Sequence, residues 1–318
     1  MLTISQVGLQ LGLIVVVLVA TFAGPALAIA LLVLRKRRAR AARRSPIGID
    51  LLRSPGHALR EQLEELRLDL MGDLLGLAIF PTLILAVHLA QSYLLGSPET
   101  VTRTAFVVLL SLACVTIFIR RLLTSAARMD NLRLGLDAEV AVGQELDRLM
   151  LQGATVFHDV PADGFNLDHV VVAPQGVFVV ETKGYSKRND LPGIPRARVQ
   201  YDGKTLRFPG WATDEPLLQA VRQAEWLSRW LTRATGDSRR AVPVLALPGW
   251  FVERGPAGPV EVYSGKELVR LLDGLGQALS AAECQRATHQ LDQKCRNVVP
   301  SYREGESPVR STSTAKAT

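Results

Sequence analysis

The chain has 318 residues, enough for about two domains of ordinary size, and carries 37 Lys/Arg against 30 Asp/Glu for a formal net charge of +7 and a pI near 9.6. Hydrophobic residues at 48%, charged residues at 21% and a mean hydropathy of +0.17 exclude disordered and collagen-like classes and lean towards membrane sequence. Three cysteines, Cys114, Cys284 and Cys295, are too few for a disulfide scaffold.

The charge is unevenly placed. Residues 1–134 hold 15 Lys/Arg and 8 Asp/Glu, whereas residues 135–298 hold 19 and 20. The excess therefore sits in the apolar half, where it orients helices more readily than it binds phosphates. An uncharged run over 11–34 is long enough to cross roughly 30 Å of hydrocarbon at about 1.5 Å per residue. Further spans are predicted at about 74–95 and 103–122, the last completed by Arg103 and Arg120 at its ends. The segment 35–73 contains ten Lys/Arg, against none before the first span and only Arg103 between the second and third. The positive-inside rule then places the N-terminus outside, a basic loop 35–73 in the cytoplasm and everything after Arg121 inside, as in a multi-pass protein of the cell membrane. Within the loop, Leu59, Leu63, Leu66 and Leu70 recur at helical spacing, and the simplest reading is a cytosolic extension of the second span.

From Gly135 the texture changes. Ala138, Val142, Leu146 and Leu149 repeat at helical spacing up to Gly153, and strand-like runs follow at TVFHDV, DHVVV and GVFVVETK. DEPLLQAVRQAEWLSRWLTRATG is a helix with Pro216 in its first turn. VPVLALPGWFV and VEVY read as strands, and capping boxes at Ser264/Glu267 and Ser280/Glu283 open two last helices. The fold class is α/β over 135–298, preceded by an all-α membrane region over 1–134 and followed by a polar, disordered tail over 299–318.

The hairpin joined by APQG carries the chemistry. A turn centred between Pro174 and Gln175 sets Asp168 opposite Glu181, Val170 opposite Val179 and Val172 opposite Val177, and directly opposed residues share a face. Lys183, two residues beyond Glu181, points the same way. Two carboxylates this close either repel, raising one pKa, or bind a cation, for which hard oxygens favour Mg²⁺ or Mn²⁺. A salt-bridge ladder is the competing reading. His169, Val171, Phe178 and Val180 fill the other face, however, so the charges end a largely buried hairpin, and the cost of burying unpaired charge favours a metal site. His169 points away from the acids and reads as a core or hydrogen-bonded residue. Between 184 and 207, Lys187, Arg188, Arg196, Arg198, Lys204 and Arg207 stand against Asp190 and Asp202, a local +4 suited either to phosphate contact or to a solvated loop. Residues 199–208 read as a hairpin about Asp202-Gly203.

The pattern D-x12-E-T-K after a helix with a glutamate resembles the PD-(D/E)xK nuclease superfamily. More narrowly, the stretch from 135 to about 272 resembles a NERD (nuclease-related) domain through G-L-D-A-E-V-A-V (135–142), H-D-V (158–160), N-L-D-H-V-V-V (166–172), G-V-F-V-V-E-T-K-G (176–184) and P-L-L-Q-A (216–220). The family usually has glycine before its first glutamate, where this chain has Ala138. The resemblance implies a restriction-endonuclease-like core, a mixed β-sheet flanked by helices. It implies that Asp168, Glu181 and the Thr182 carbonyl ligate Mg²⁺ or Mn²⁺, that Lys183 positions the attacking water, that Glu139 completes or orients the metal shell and that Gln219 is the family glutamine. Taken alone, Glu139 is equally a helix-capping residue and Gln219 a helix-surface one. The expected activity is metal-dependent phosphodiester hydrolysis of DNA, or RNA, beside the bilayer. The alternative is a catalytically silent module of the same fold that binds nucleic acid or protein.

Overall fold

The computed structural model describes residues 23–24, 27–38, 46–94, 98–187 and 197–300. Chain contacts divide it into two compact units, one of residues 1–51, 77–116 and 299–318, the other of residues 52–76 and 117–298.

A two-residue strand β1 (Leu51–Leu52) precedes two long helices, α1 (His57–Leu94) and α2 (Val101–Asp147). Each contains an apolar stretch long enough to cross a membrane, with mean hydropathy 2.1 and 2.2. These stretches keep Leu85, Leu89, Phe106 and Leu109 exposed, an arrangement costly in water and natural in lipid. The described residues thus hold two such helices where three spans are expected, and the span predicted at 11–34 lies largely outside them. Both helices also run well past their apolar stretches. Pro81 does not end α1, and charge does not interrupt the helical period, so the leucine repeat of 59–70 and the glutamate-bearing segment 135–147 are continuous with the predicted spans. In the larger unit, Leu63 and Leu66 of α1 bury against Met129 of α2, and Arg121 pairs with buried Asp73 at 2.9 Å.

The larger unit is built on a five-stranded mixed sheet of order β10-β8-β4-β3-β2. Its strands are β2 (Thr155–Pro161), β3 (Asn166–Ala173), β4 (Gly176–Thr182), β8 (Val242–Leu247) and β10 (Glu261–Ser264). β2, β3 and β4 form an antiparallel meander, while β8 runs parallel to β4 and β10 parallel to β8. The β3/β4 register pairs Val170 with Val179 and Val172 with Val177, as the four-residue APQG connection requires. On one face Val171, Phe178, Val180 and Val244 pack against Val142, Leu146 and Leu149 from the end of α2 and the turn after it. On the other, Val170, Val172, Val177 and Val179 pack against Ala224, Leu227 and Leu231 of α3 (Glu215–Thr235) and Leu291 of α4 (Ala281–Cys295). Each fully buried leucine contributes about 2 kcal/mol by removal from water. Val242–Leu247 and a second strand, β9 (Phe251–Arg254), divide the VPVLALPGWFV run at a turn. Only the second capping box opens an α-helix. The first, at Ser264, opens a short 3₁₀ turn over Gly265–Arg270.

A smaller sheet, β7-β6-β5-β9, is made from β5 (Arg198–Tyr201), β6 (Leu206–Phe208), β7 (Trp211–Thr213) and β9. The hairpin about Asp202-Gly203 is present, and Gly203 takes φ +88°, a conformation that a side chain would strain. The chain closes the unit at its far end with a short strand β11 (Arg296–Val298), where the Arg53 N–H donates to the Cys295 carbonyl at 3.2 Å.

Candidate active site

β4 delivers Glu181 to the end of the sheet, where the side chain is 2% exposed. A carboxylate so placed needs donors, and Glu181 has three. Lys183 Nζ stands 2.6 Å from Oε1, Gln219 Nε2 donates to Oε1 at 2.7 Å, and Gln223 Nε2 donates to Oε2 at 2.6 Å. Gln219 and Gln223 are one turn apart on α3, so they reach the same carboxylate from one helix face. Across the hairpin, Asp168 Oδ2 accepts the Thr182 backbone N–H at 2.7 Å, which ties β3 to β4 at the level of the acids.

Glu139 arrives from α2. Gly184 explains how the helix comes so close: a Cβ there would stand 2.8 Å from both the Ala138 Cβ and the Leu134 carbonyl oxygen. The Ala138 methyl, which occupies the position where the resembled family has glycine, is thus accommodated by the absence of a side chain at 184. The Gly56 backbone N–H, just ahead of α1, favours the charged form of Glu139 and opposes part of the rise in its pKa.

Asp159 on β2 adds a fourth acid. It is 3% exposed and adopts φ 49°, an uncommon conformation for a residue with a side chain. Its carboxylate takes Arg53 Nη1 at 2.9 Å, the Ala58 N–H at 3.1 Å and Asn166 Nδ2 at 2.9 Å, which anchors the start of α1 to the sheet edge.

The electrostatics follow from this crowding. Burial, then Glu181 and Glu139, hold the Asp168 carboxyl well above the usual carboxylate range, against the opposing pull of the Thr182 N–H and Lys183. Burial, then Asp159 and Glu181, push Glu139 up to about 7. Burial pulls the Lys183 ammonium down, but Glu181 and Asp168 more than offset it, so its pKa rises and it stays charged.

The pH dependence has a definite sign. A carboxyl whose folded pKa exceeds its unfolded value binds protons better in the folded state, so the stability Glu139 gives is greatest below its ordinary 4.5 and is lost as pH rises to about 7. His158 and His169, both pulled down first by burial, act oppositely and destabilise as pH falls below their ordinary 6.5. In chelator, thermal melts should show that Glu139→Gln relieves the loss of stability between pH 4.5 and 7, and the shared histidines cancel in the comparison. Superimposable curves would remove Glu139 from the acid cluster's field.

Asp168, Glu181, Lys183, Glu139 and Gln219 thus meet at one end of the sheet. His169, fully buried, points to the other face, with Nδ1 2.9 Å from Nδ1 of His158, whose Nε2 is 3.0 Å from Asp147. The basic residues between 184 and 207 are dispersed. Arg198 pairs with Glu253 at 2.7 Å, Arg207 with Asp202 at 3.4 Å, and Lys187 lies over the Trp250 ring at 5.9 Å. Lys204 is in the Asp202-Gly203 turn, while Arg188 and Arg196 lie outside the described residues. Sequence reasoning passed over Gln223, Asp159 and Arg53. The one-turn spacing from Gln219 points to Gln223 and the H-D-V motif contains Asp159, whereas nothing local marks Arg53.

A mixed sheet flanked by helices, with acids and a lysine gathered at the end of its β3/β4 hairpin, fits a nuclease-like α/β core. Residues 134–248 match the family model NERD, described as nuclease-related domain, and the chain carries that domain there. No curated protein and no solved structure matches the chain.

Proposed function

We propose that the nuclease-related domain hydrolyses phosphodiester bonds of DNA or RNA with the help of a divalent cation, Mg²⁺ or Mn²⁺. The observation that carries this reading is Lys183 at 2.6 Å from Glu181, with Asp168 held on the adjoining strand by the Thr182 N–H. The donor set fits a hard cation. Carboxylates outnumber the nearby cations, and Asp168 and Glu139 are raised first by burial and then by the neighbouring acids, whose repulsion a cation would relieve. A buried oxygen beside the acids, Gln223 Oε1, lacks a hydrogen-bond partner among the described residues. No three His, Cys, Asp or Glu side chains among the described residues form a metal cage by themselves. The ion proposed is one bound through two carboxylates that keeps much of its water, the habit of Mg²⁺. Asp168, Glu181 and the Thr182 carbonyl would hold it, with Glu139 adjoining.

When bound, the cation supplies an acidified water and charge stabilisation at the phosphate. Glu181 fixes the Lys183 ammonium, which orients the attacking water and offsets charge developing on the phosphate oxygens. Gln219 and Gln223 lock the Glu181 carboxylate in place. Glu139, adjoining the ion, would complete or orient the shell around it. Helices α1 and α2 would anchor the domain in the cell membrane, and the arginines of 35–73 would keep it on the cytoplasmic side.

The test is cleavage of plasmid, linear and single-stranded DNA and of RNA by the full chain in detergent, with Mg²⁺, Mn²⁺ or chelator. Metal-dependent cleavage is expected, and cleavage undiminished by chelator would overturn the proposal. One observation favours a second reading, a silent binding module: Glu181 already accepts three donors. Retained nucleic-acid binding with no cleavage under any metal would select that module.

A further inference from the structure

An aromatic cluster adjoins the acids on the side of the smaller sheet. Tyr185 is two residues past Lys183, and its carbonyl accepts the Trp250 indole N–H at 3.2 Å. Phe208 and Trp211 flank the Pro209-Gly210 turn as a directly opposed pair, with Gly210 at φ +93°. Their rings stack at 4.2 Å and 7°. Tyr185 meets both edge-on, at 5.2 Å from Phe208 and 5.0 Å from Trp211, and Trp250 closes on Phe208 at 4.9 Å. Phe208 and Trp250 are buried, yet Trp211 at the end of the stack is 42% exposed. An indole held rigidly by a stacked ring and left open to solvent is a platform for one more flat ring. β7, which carries Trp211, leads directly into α3, whose Gln219 grips Glu181, so the platform and the acids are joined by a short, fixed path.

Charge identifies the ring that fits. Lys187 lies over Trp250, the inner member of the cluster, and Lys183, paired with Glu181, is two residues before Tyr185. Aromatic stacking beside cations suits the bases and phosphates of a single strand, because every base has a face to stack, whereas paired bases in a duplex offer none at their edges. We propose that Trp211, backed by Phe208 and Tyr185, stacks an unpaired nucleobase, so that the substrate is single-stranded nucleic acid or an unpaired end. This deepens the nuclease reading and rests on it for the adjoining site.

The test is fluorescence anisotropy of a labelled oligothymidylate and of a blunt duplex of equal length, titrated with the full chain in detergent and chelator. The wild-type chain should prefer the single strand. Trp211→Ala should weaken single-strand binding by about 10-fold and leave duplex binding unchanged, while Trp211→Phe, which keeps a ring, should retain most of the affinity. Thermal melts of both variants check the fold. Equal single-strand affinity in Trp211→Ala, a wild-type preference for duplex, or no binding of either would each overturn the proposal. The two readings fail separately. Loss of strand affinity in Trp211→Ala, in a chain that cleaves nothing, upholds the platform and defeats the nuclease. Metal-dependent cleavage confined to duplex does the reverse.

Discussion

Replacing Lys183 by methionine is expected to lower metal-dependent cleavage by about 1,000-fold, the scale on which a single charge-stabilising group acts. Methionine keeps the unbranched stem and removes only the ammonium that stands 2.6 Å from Glu181. Glu181 retains Gln219 and Gln223, so the carboxylate is not stripped of donors and the chain should remain folded. Circular dichroism and a gel-based single-turnover assay on the same preparation separate the two effects. Residual activity within about 10-fold of wild type would mean that Lys183 is a structural counter-ion and not part of the chemistry.

The second large effect runs in opposite directions on stability and activity. Asp168→Asn removes a charge that burial, Glu181 and Glu139 all disfavour, while an amide oxygen can still accept the Thr182 N–H. In chelator the variant should be at least as stable as wild type, with a gain on the order of 1 kcal/mol, or about 3 °C in melting temperature for a unit of this size. Cleavage should fall by at least about 100-fold. Acids retained at a cost to the fold mark a working site, because a salt-bridge ladder would lose stability on the same change. A melting temperature several degrees lower, with cleavage retained, would restore the ladder reading.

The sequence contains this much of the site because a hairpin is a local object. Once APQG is recognised as the turn, the pleat alone puts Asp168 and Glu181 on one face and Lys183 beside them. The rest depends on contacts between distant segments. Glu139 joins the cluster only because Gly184 lets α2 approach β4, a packing fact without a local signature. Arg53 lies over a hundred residues from Asp159, with both long helices between them, and no periodicity links the pair. The basic residues between 184 and 207 crowd together in sequence and suit either phosphate contact or a solvated loop, and strand pairing in the smaller sheet sends Arg198 to Glu253 and leaves Arg207 on Asp202. Hydropathy placed the apolar stretches of α1 and α2 but underestimated both helices, since continuity is decided by backbone hydrogen bonding and not by polarity.

We propose that the Asp168 and Glu181 cluster holds a divalent cation. Isothermal titration calorimetry of Mg²⁺ into the full chain in detergent, run side by side with Asp168→Asn, tests it most directly. A saturable binding heat in the wild-type chain that disappears in the variant is the predicted result. No heat in the wild-type chain, or the same isotherm in both proteins, would contradict it.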